Sequence, residues 1–223
     1  WNDPTRGWIG TANHRVAADD FPYPLSGTWA NGFCGVRIRQ MLDNAQGLAR
    51  QDFARMHQDS LSLRAVELVP RLLHVLRGPL DDPAHSPETA ALPPAQIRQL
   101  WEAAELLAQW DFRMEPDRVG ATIFNVFFSH WCQRVAEERF HGETAALAAG
   151  AINGLAGELL SADRSGWFQG EGAEGAGPMA DQVRTAAILR AFISAAAYIA
   201  ARLGPNPLNW NWGKLHTLQQ KHF

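Results

Sequence analysis

The sequence predicts a mainly α-helical body with a few strands. Apolar residues recur at helical spacing from Val36 onward, and Thr144 to Leu160 is rich in alanine. Residues 1–33 differ: Gly, Pro, Asn and Asp punctuate them, and the run Trp8 to Asn13 is the one strand candidate.

Phe21-Pro22-Tyr23-Pro24 cannot be helical, because each proline restricts the residue before it. Val36, Ile38, Met41 and Leu42 then form an apolar stripe that Gly47 stops. A second helix is predicted over about Ala49 to Met56, and a third from about Leu61 to Leu76. Pro70 should kink or split the third, and Gly78-Pro79 should end it. Residues 78–94 read as a Pro- and Asp-rich loop. Pro93-Pro94 opens a helix to about Trp110, since proline is tolerated in a first turn.

Asp117 is expected to cap a helix over about 118–140, whose apolar residues run almost all round and mark it as buried. In Thr144 to Leu160, Gly150, Gly154 and Gly157 suggest close helix contact. Gly166 to Pro178 reads as a loop, and the last long helix spans about Met179 to Leu203. The organisation is an extended and turn segment at 1–33, a helical body at 34–204 and a C-terminal segment at 205–223. No domain boundary is expected beyond the loops at 78–94 and 166–178.

Apolar residues make up 46% and charged residues 19%, which suits a buried globular body and argues against disorder. The net charge of −3 offers no basic stripe, so nucleic acid is not an expected partner. The most apolar stretch, Ala191 to Ala201, is far shorter than the roughly 20 residues a bilayer requires, and it reads as a core helix. Cys34 and Cys132 form either one bridge or two separate thiols.

No His-Glu-x-x-His or Gly-x-Ser-x-Gly string occurs, and His130 and Cys132, two apart on a helix, point to different faces. The glycine-rich loop from Gly166 to Gly177 lacks a following Gly-Lys-Ser/Thr, and Glu171 and Glu174 would repel phosphate. It is either a surface loop or part of an apolar acyl pocket lined by Trp167 and Phe168. Asn13 ends the strand candidate. It is either a turn asparagine bonded to its own backbone or a side-chain amide presented to a reacting carbonyl.

Five strings occur in one order. They are Gly7 to Val16; Tyr23-Pro24-Leu25-Ser26-Gly27-Thr28-Trp29 with Val36 to Leu42; Gln58-Asp59 with Ser62, Ala65, Leu68, Pro70 and Leu72-Leu73; Leu106 to Asp111 with Ala121 to Phe127; and Trp210-Asn211-Trp212-Gly213-Lys214-Leu215-His216. Together they resemble the penicillin amidase (penicillin/cephalosporin acylase) family of N-terminal nucleophile hydrolases. The resemblance implies that the chain is part of an α+β, four-layer αββα hydrolase acting on linear amides of penicillin-like or acyl-homoserine-lactone-like substrates. It also implies a self-cleaving precursor that exposes an N-terminal Ser. That serine attacks the amide, with its own α-amino group as base, and an ester intermediate follows. Asn13 falls on the family's oxyanion asparagine.

The chain starts at Trp1, so the nucleophile is expected in another segment or chain of the same acylase, and this chain alone is expected to be inactive. Phenylacetyl, glutaryl and long-chain acyl groups all occur among family substrates. In many relatives an Arg stands near the position of Cys34. An Asp before the turn Trp ligates calcium in some members, but Thr28 stands there, so no metal ligand and no cofactor is assigned. The expected partners are a small-molecule amide and the remainder of the acylase, with no membrane, and the resemblance implies export to the periplasm or medium. The rival reading is a helical interaction module without chemistry.

Overall fold

The computed structural model describes residues 5–27, 29–169 and 178–219. Its contacts divide the chain into two compact units, Trp1–Arg64 and Ala65–Phe223.

In the first unit, the described residues before Phe33 are irregular. Among them no strand forms, because a strand needs a neighbour to pair with. Residues 8–13 are therefore not a strand here, and one isolated parallel bridge joins His14 to Ala30. Helix α1 follows at Phe33–Asp43 and α2 at Arg50–His57. The Asp52 carboxylate accepts the Ala49 N–H at 2.7 Å, supplying a partner to an otherwise orphaned donor at the start of α2. The Arg37 fork on α1 meets Asp59 through Nε at 2.7 Å and Nη2 at 2.8 Å, fixing α1 to the turn after α2. No described residue from 5 to 64 is buried.

Helix α3, Leu63–Asp81, opens the second unit. The sequence predicted an end at Gly78-Pro79, yet the helix runs on through both Pro70 and Pro79. Its buried stripe Leu68, Leu72, Leu76 and Leu80 continues at four-residue spacing, and that burial outweighs the lost backbone bond. The predicted loop at 78–94 holds a 3₁₀ turn, Pro83–His85, and the short helix α4, Pro87–Ala90. Helix α5 spans Pro94–Ala108.

Helix α6, Val119–Glu137, is the centre of this unit and packs chiefly on α9, Pro178–Leu203. The predicted Asp117 cap is not made. Arg118 holds the N-cap position without a side-chain bond to the helix's free N–H groups, and the Asp117 carboxylate pairs with Arg118 at 3.4 Å instead. Phe124, Phe127 and Trp131 of α6 are at most 1% exposed, and Phe127 meets Phe192 of α9 at 6.2 Å. The α9 stretch Met179–Leu203 is long and apolar enough to cross a membrane by composition, but Ile188, Phe192 and Ile199 are buried in the core.

The Ala-rich stretch forms two helices, α7 at Gly142–Ala151 and α8 at Asn153–Ser161, which part at Ile152. A Cβ at Gly150 or Gly154 would meet open space, so those glycines make no close helix contact. Ala145 and Ala156 are the small residues buried there. After α9, a 3₁₀ turn at Pro207–Asn209 leads to α10, Trp212–Leu215. The C-terminal tryptophan string serves packing: Trp210 is fully buried and donates Nε1–H to the Gly204 carbonyl at 2.8 Å. Gly213 N–H donates to the Pro116 carbonyl at 2.7 Å, and a Cβ at 213 would stand 3.2 Å from that same oxygen.

Candidate active site

Asn13 lies in the first unit with a left-handed backbone, φ 56°. Few residues other than glycine adopt that region, and asparagine is among the most tolerant. Its carbonyl accepts the Ala30 N–H at 2.9 Å, so the backbone is held from outside while the side chain stays exposed. That side chain makes no hydrogen bond among the described residues, so the self-bonded turn is not realised there. An amide on a bridged backbone can donate two N–H groups outward.

The chain just beyond Asn13 encloses a hollow of about 230 Å³ lined by Arg15, Asp19, Phe21, Tyr23, Leu25 and Trp29. The Phe21 and Tyr23 rings meet edge-on at 6.2 Å. Thr28, on which the calcium expectation turns, lies outside the described residues. Among the described residues no three His, Cys, Asp or Glu side chains gather as a metal site would need. Cys34 is exposed on α1 and Cys132 is buried in α6, and no disulfide joins them. Arg37, three residues after Cys34, has its guanidinium engaged by Asp59.

Trp167 and Phe168 lie in the second unit and are organised by Asp163. That carboxylate accepts the Trp167 and Phe168 backbone N–H groups, each at 2.8 Å, and the Ser165 hydroxyl at 3.1 Å. Burial works to raise the Asp163 carboxyl, but these donors outweigh it and hold the group below the usual carboxylate range. Phe168 is 4% exposed and stacks on Trp131 at 5.8 Å, and the Trp167 indole donates to the Val135 carbonyl at 2.8 Å. Phe168 is thus a core side chain and Trp167 is tied to the core. The rest of their loop, residues 170–177, lies outside the described residues.

Among the described residues two open grooves mark the second unit, and neither is lined by Trp167 or Phe168. One, of about 590 Å³, runs between Trp101 and Glu105 of α5 and the Pro205–Leu208 turn. The other, of about 240 Å³, is lined by Asn125, His130, Tyr198, Trp212 and His216. His130 Nδ1 lies 2.9 Å from Ser194 Oγ, and its ring meets Tyr198 edge-on at 5.5 Å. Burial, and secondarily the Arg134 cation, push the imidazole below its usual value. No carboxylate stands among its described partners, so this Ser–His pair lacks the third group that orients a nucleophile–base couple.

Sequence reasoning missed the surroundings of Asn13: the Ala30 bridge, the His14 ring and Gly35 of α1. No periodicity or motif marks these contacts, which join points 16 to 21 residues apart.

Over residues 2–223 the chain matches the penicillin amidase family. It is 27% identical to acyl-homoserine lactone acylase QuiP of Pseudomonas aeruginosa over 239 residues, covering 97% of this chain and 25% of that protein. It is likewise 27% identical to the QuiP acylase of Pseudomonas fluorescens, across 99% of this chain and 27% of that one. A penicillin acylase 2 proenzyme of a Pseudomonas species is 32% identical over 126 residues, 56% of this chain and 14% of that one. The chain therefore spans about a quarter of the length of the acyl-homoserine lactone acylases it matches. Nearly the whole of its length being matched, the chain belongs to the penicillin amidase family.

Proposed function

We propose that residues 1–223 are part of an acylase that hydrolyses linear amides, and that they supply Asn13 as a donor to the oxyanion. A serine borne by another segment of the same protein attacks the substrate carbonyl, with the serine's own α-amino group as base. The carbonyl oxygen takes up negative charge as the tetrahedral intermediate forms, and the Asn13 Nδ2–H hydrogen bond strengthens at that moment. The amine then leaves, and water hydrolyses the acyl ester.

The observation that carries this reading is the state of Asn13: a left-handed backbone, a carbonyl held by Ala30, and an exposed side chain with no described partner. A donor fixed before the reaction need not reorganise during it. The absence of any buried described residue between 5 and 64 fits a stretch that packs against further chain of a larger enzyme. The substrate class is that of the relatives' names, an N-acyl-homoserine lactone or a penicillin side-chain amide. The protein acts in the periplasm or medium, uses no cofactor held by these residues, and arises by self-cleavage of a precursor.

Intact mass spectrometry of the natural product, native and denaturing, tests this, together with hydrolysis of phenylacetyl amides, glutaryl amides and long-chain N-acyl-homoserine lactones. A companion chain beginning with Ser, and turnover of one of these amides, is the expected result. Turnover by a preparation holding only the 24.6 kDa chain would overturn the reading, as would a complete product inert on every amide.

A further inference from the structure

The segment that carries Asn13 is laid along α1 in three contacts that run opposite to the helix. The Trp8 indole donates to Asp43 Oδ1 at 2.9 Å at the far end of α1. Gly10 lies over Ile38 so closely that a Cβ at 10 would stand 3.2 Å from Ile38 Cγ2. At the near end the His14 ring covers Gly35, where a Cβ would stand 2.5 Å from His14 Nδ1, 2.8 Å from Cε1 and 3.0 Å from Cγ. Real Cβ atoms do not come within 3.0 Å of a neighbour, so a side chain at 35 must unseat the ring, by rotation about the His14 Cα–Cβ bond or by a shift of the His14 backbone. His14 Nδ1 is buried without a hydrogen-bonding partner among the described residues, so the contact with Gly35 is what seats the ring there.

We propose that His14 and Gly35 form a positioning pair for the oxyanion amide. Asn13 is held on one side by the Ala30 bond to its own carbonyl, and on the other by the next residue's ring pressed onto α1. The two holds leave only the Asn13 side-chain torsions to aim the amide. Neither His14 nor Gly35 touches the reacting atoms in this role, and both act through Asn13. The inference rests on the reading of Asn13 as an oxyanion donor.

The test uses the complete acylase and the amide from the panel above that it hydrolyses fastest. Gly35→Ala should lower kcat by about 100-fold, the effect of an ångström-scale misplacement, with KM unchanged and a lowered thermal midpoint from the overpacking. Two backgrounds give the readouts that a merely structural role would not move. With His14→Ala the ring is gone, and adding Gly35→Ala should cost no further kcat. With Asn13→Ala the positioned group is gone, and Gly35→Ala should again cost nothing more. Should Gly35→Ala not accumulate as folded protein, His14→Ala reads the same contact from its other side, with a predicted kcat loss of about 10-fold. Full kcat in Gly35→Ala or in His14→Ala overturns the pairing, as does a loss that persists undiminished in both backgrounds. If Asn13→Ala itself keeps full kcat, the oxyanion reading falls and the positioning role with it. If Asn13→Ala is impaired while Gly35→Ala is not, only the positioning role falls.

Discussion

The indole of Trp110 lies across the α-carbon of Gly120, in the first turn of α6, where a Cβ would stand 2.7 Å from Trp110 Cδ2 and closer still to Cγ. The indole is 6% exposed, and its Nε1–H donates to the Arg113 carbonyl at 2.9 Å. It is also edge-on to Phe112 at 5.5 Å, a residue whose own backbone is left-handed, φ 60°. The turn between α5 and α6 is thus built around a ring that only glycine admits.

Gly120→Ala should therefore destabilise the protein by about 2 kcal/mol, because overpacking displaces the ring and its bond to Arg113. The sign is informative. Replacing glycine by alanine inside an unobstructed helix stabilises by about 1 kcal/mol. Urea unfolding decides between the two, and a raised midpoint contradicts the close approach.

Asp163 should make the second unit acid-sensitive. Its folded-state pKa is depressed, so its contribution is complete above the unfolded value of about 3.9 and is lost as pH falls through the lower folded value. Asp163→Ala strands the Trp167 and Phe168 N–H donors and should cost about 3 kcal/mol at neutral pH. The variant should also unfold with a shallower dependence on pH in the acid range. Thermal midpoints of both proteins across that range check this, and parallel curves would contradict it.

His130 acts in the opposite sense. Burial lowers its folded-state pKa, so the unfolded chain takes up the proton first, and stability falls as pH drops below about 6.5. His130→Gln should remove that part of the slope. Comparing thermal midpoints at about pH 7.5 and about pH 5.5 reads the difference, and equal slopes in the two proteins would contradict it.

The Arg37–Asp59 fork should be specific to the guanidinium. Lysine cannot make both bonds, so Arg37→Lys should lose about 2 kcal/mol of local stability. Hydrogen exchange of the amides in α1 is the measurement. Faster exchange across Phe33–Asp43 is expected, and exchange at the native rate would show that the ion pair does not hold the helix.

Helix content was legible where a long apolar run marked a buried helix, as in α6 and α9. Helix ends were not. Proline at 79 argued for a stop that the buried Leu76 and Leu80 overrode, and Asp117 offered a cap where its carboxylate pairs with Arg118 instead. Trp8 to Asn13 carried a strand pattern, but a strand is a pairing, and among the described residues only His14 and Ala30 pair.

Asn13 was reached through the family's strings rather than through its own neighbourhood. The His14 ring on Gly35 left no trace in any local pattern, because a glycine needed for close approach looks like any other. Trp167 and Phe168 were read by residue type. The signal that places them was Asp163, four and five residues upstream, a short acceptor able to bond the backbone ahead of it.

The central claim is that Asn13 holds the oxyanion, and the most direct measurement is kcat of Asn13→Ala in the complete acylase. Losing one such donor should lower kcat by about 100- to 1,000-fold while leaving KM unchanged, with only the small drop in thermal midpoint that alanine costs at a left-handed backbone. A variant that turns over within about twofold of the parent would contradict it.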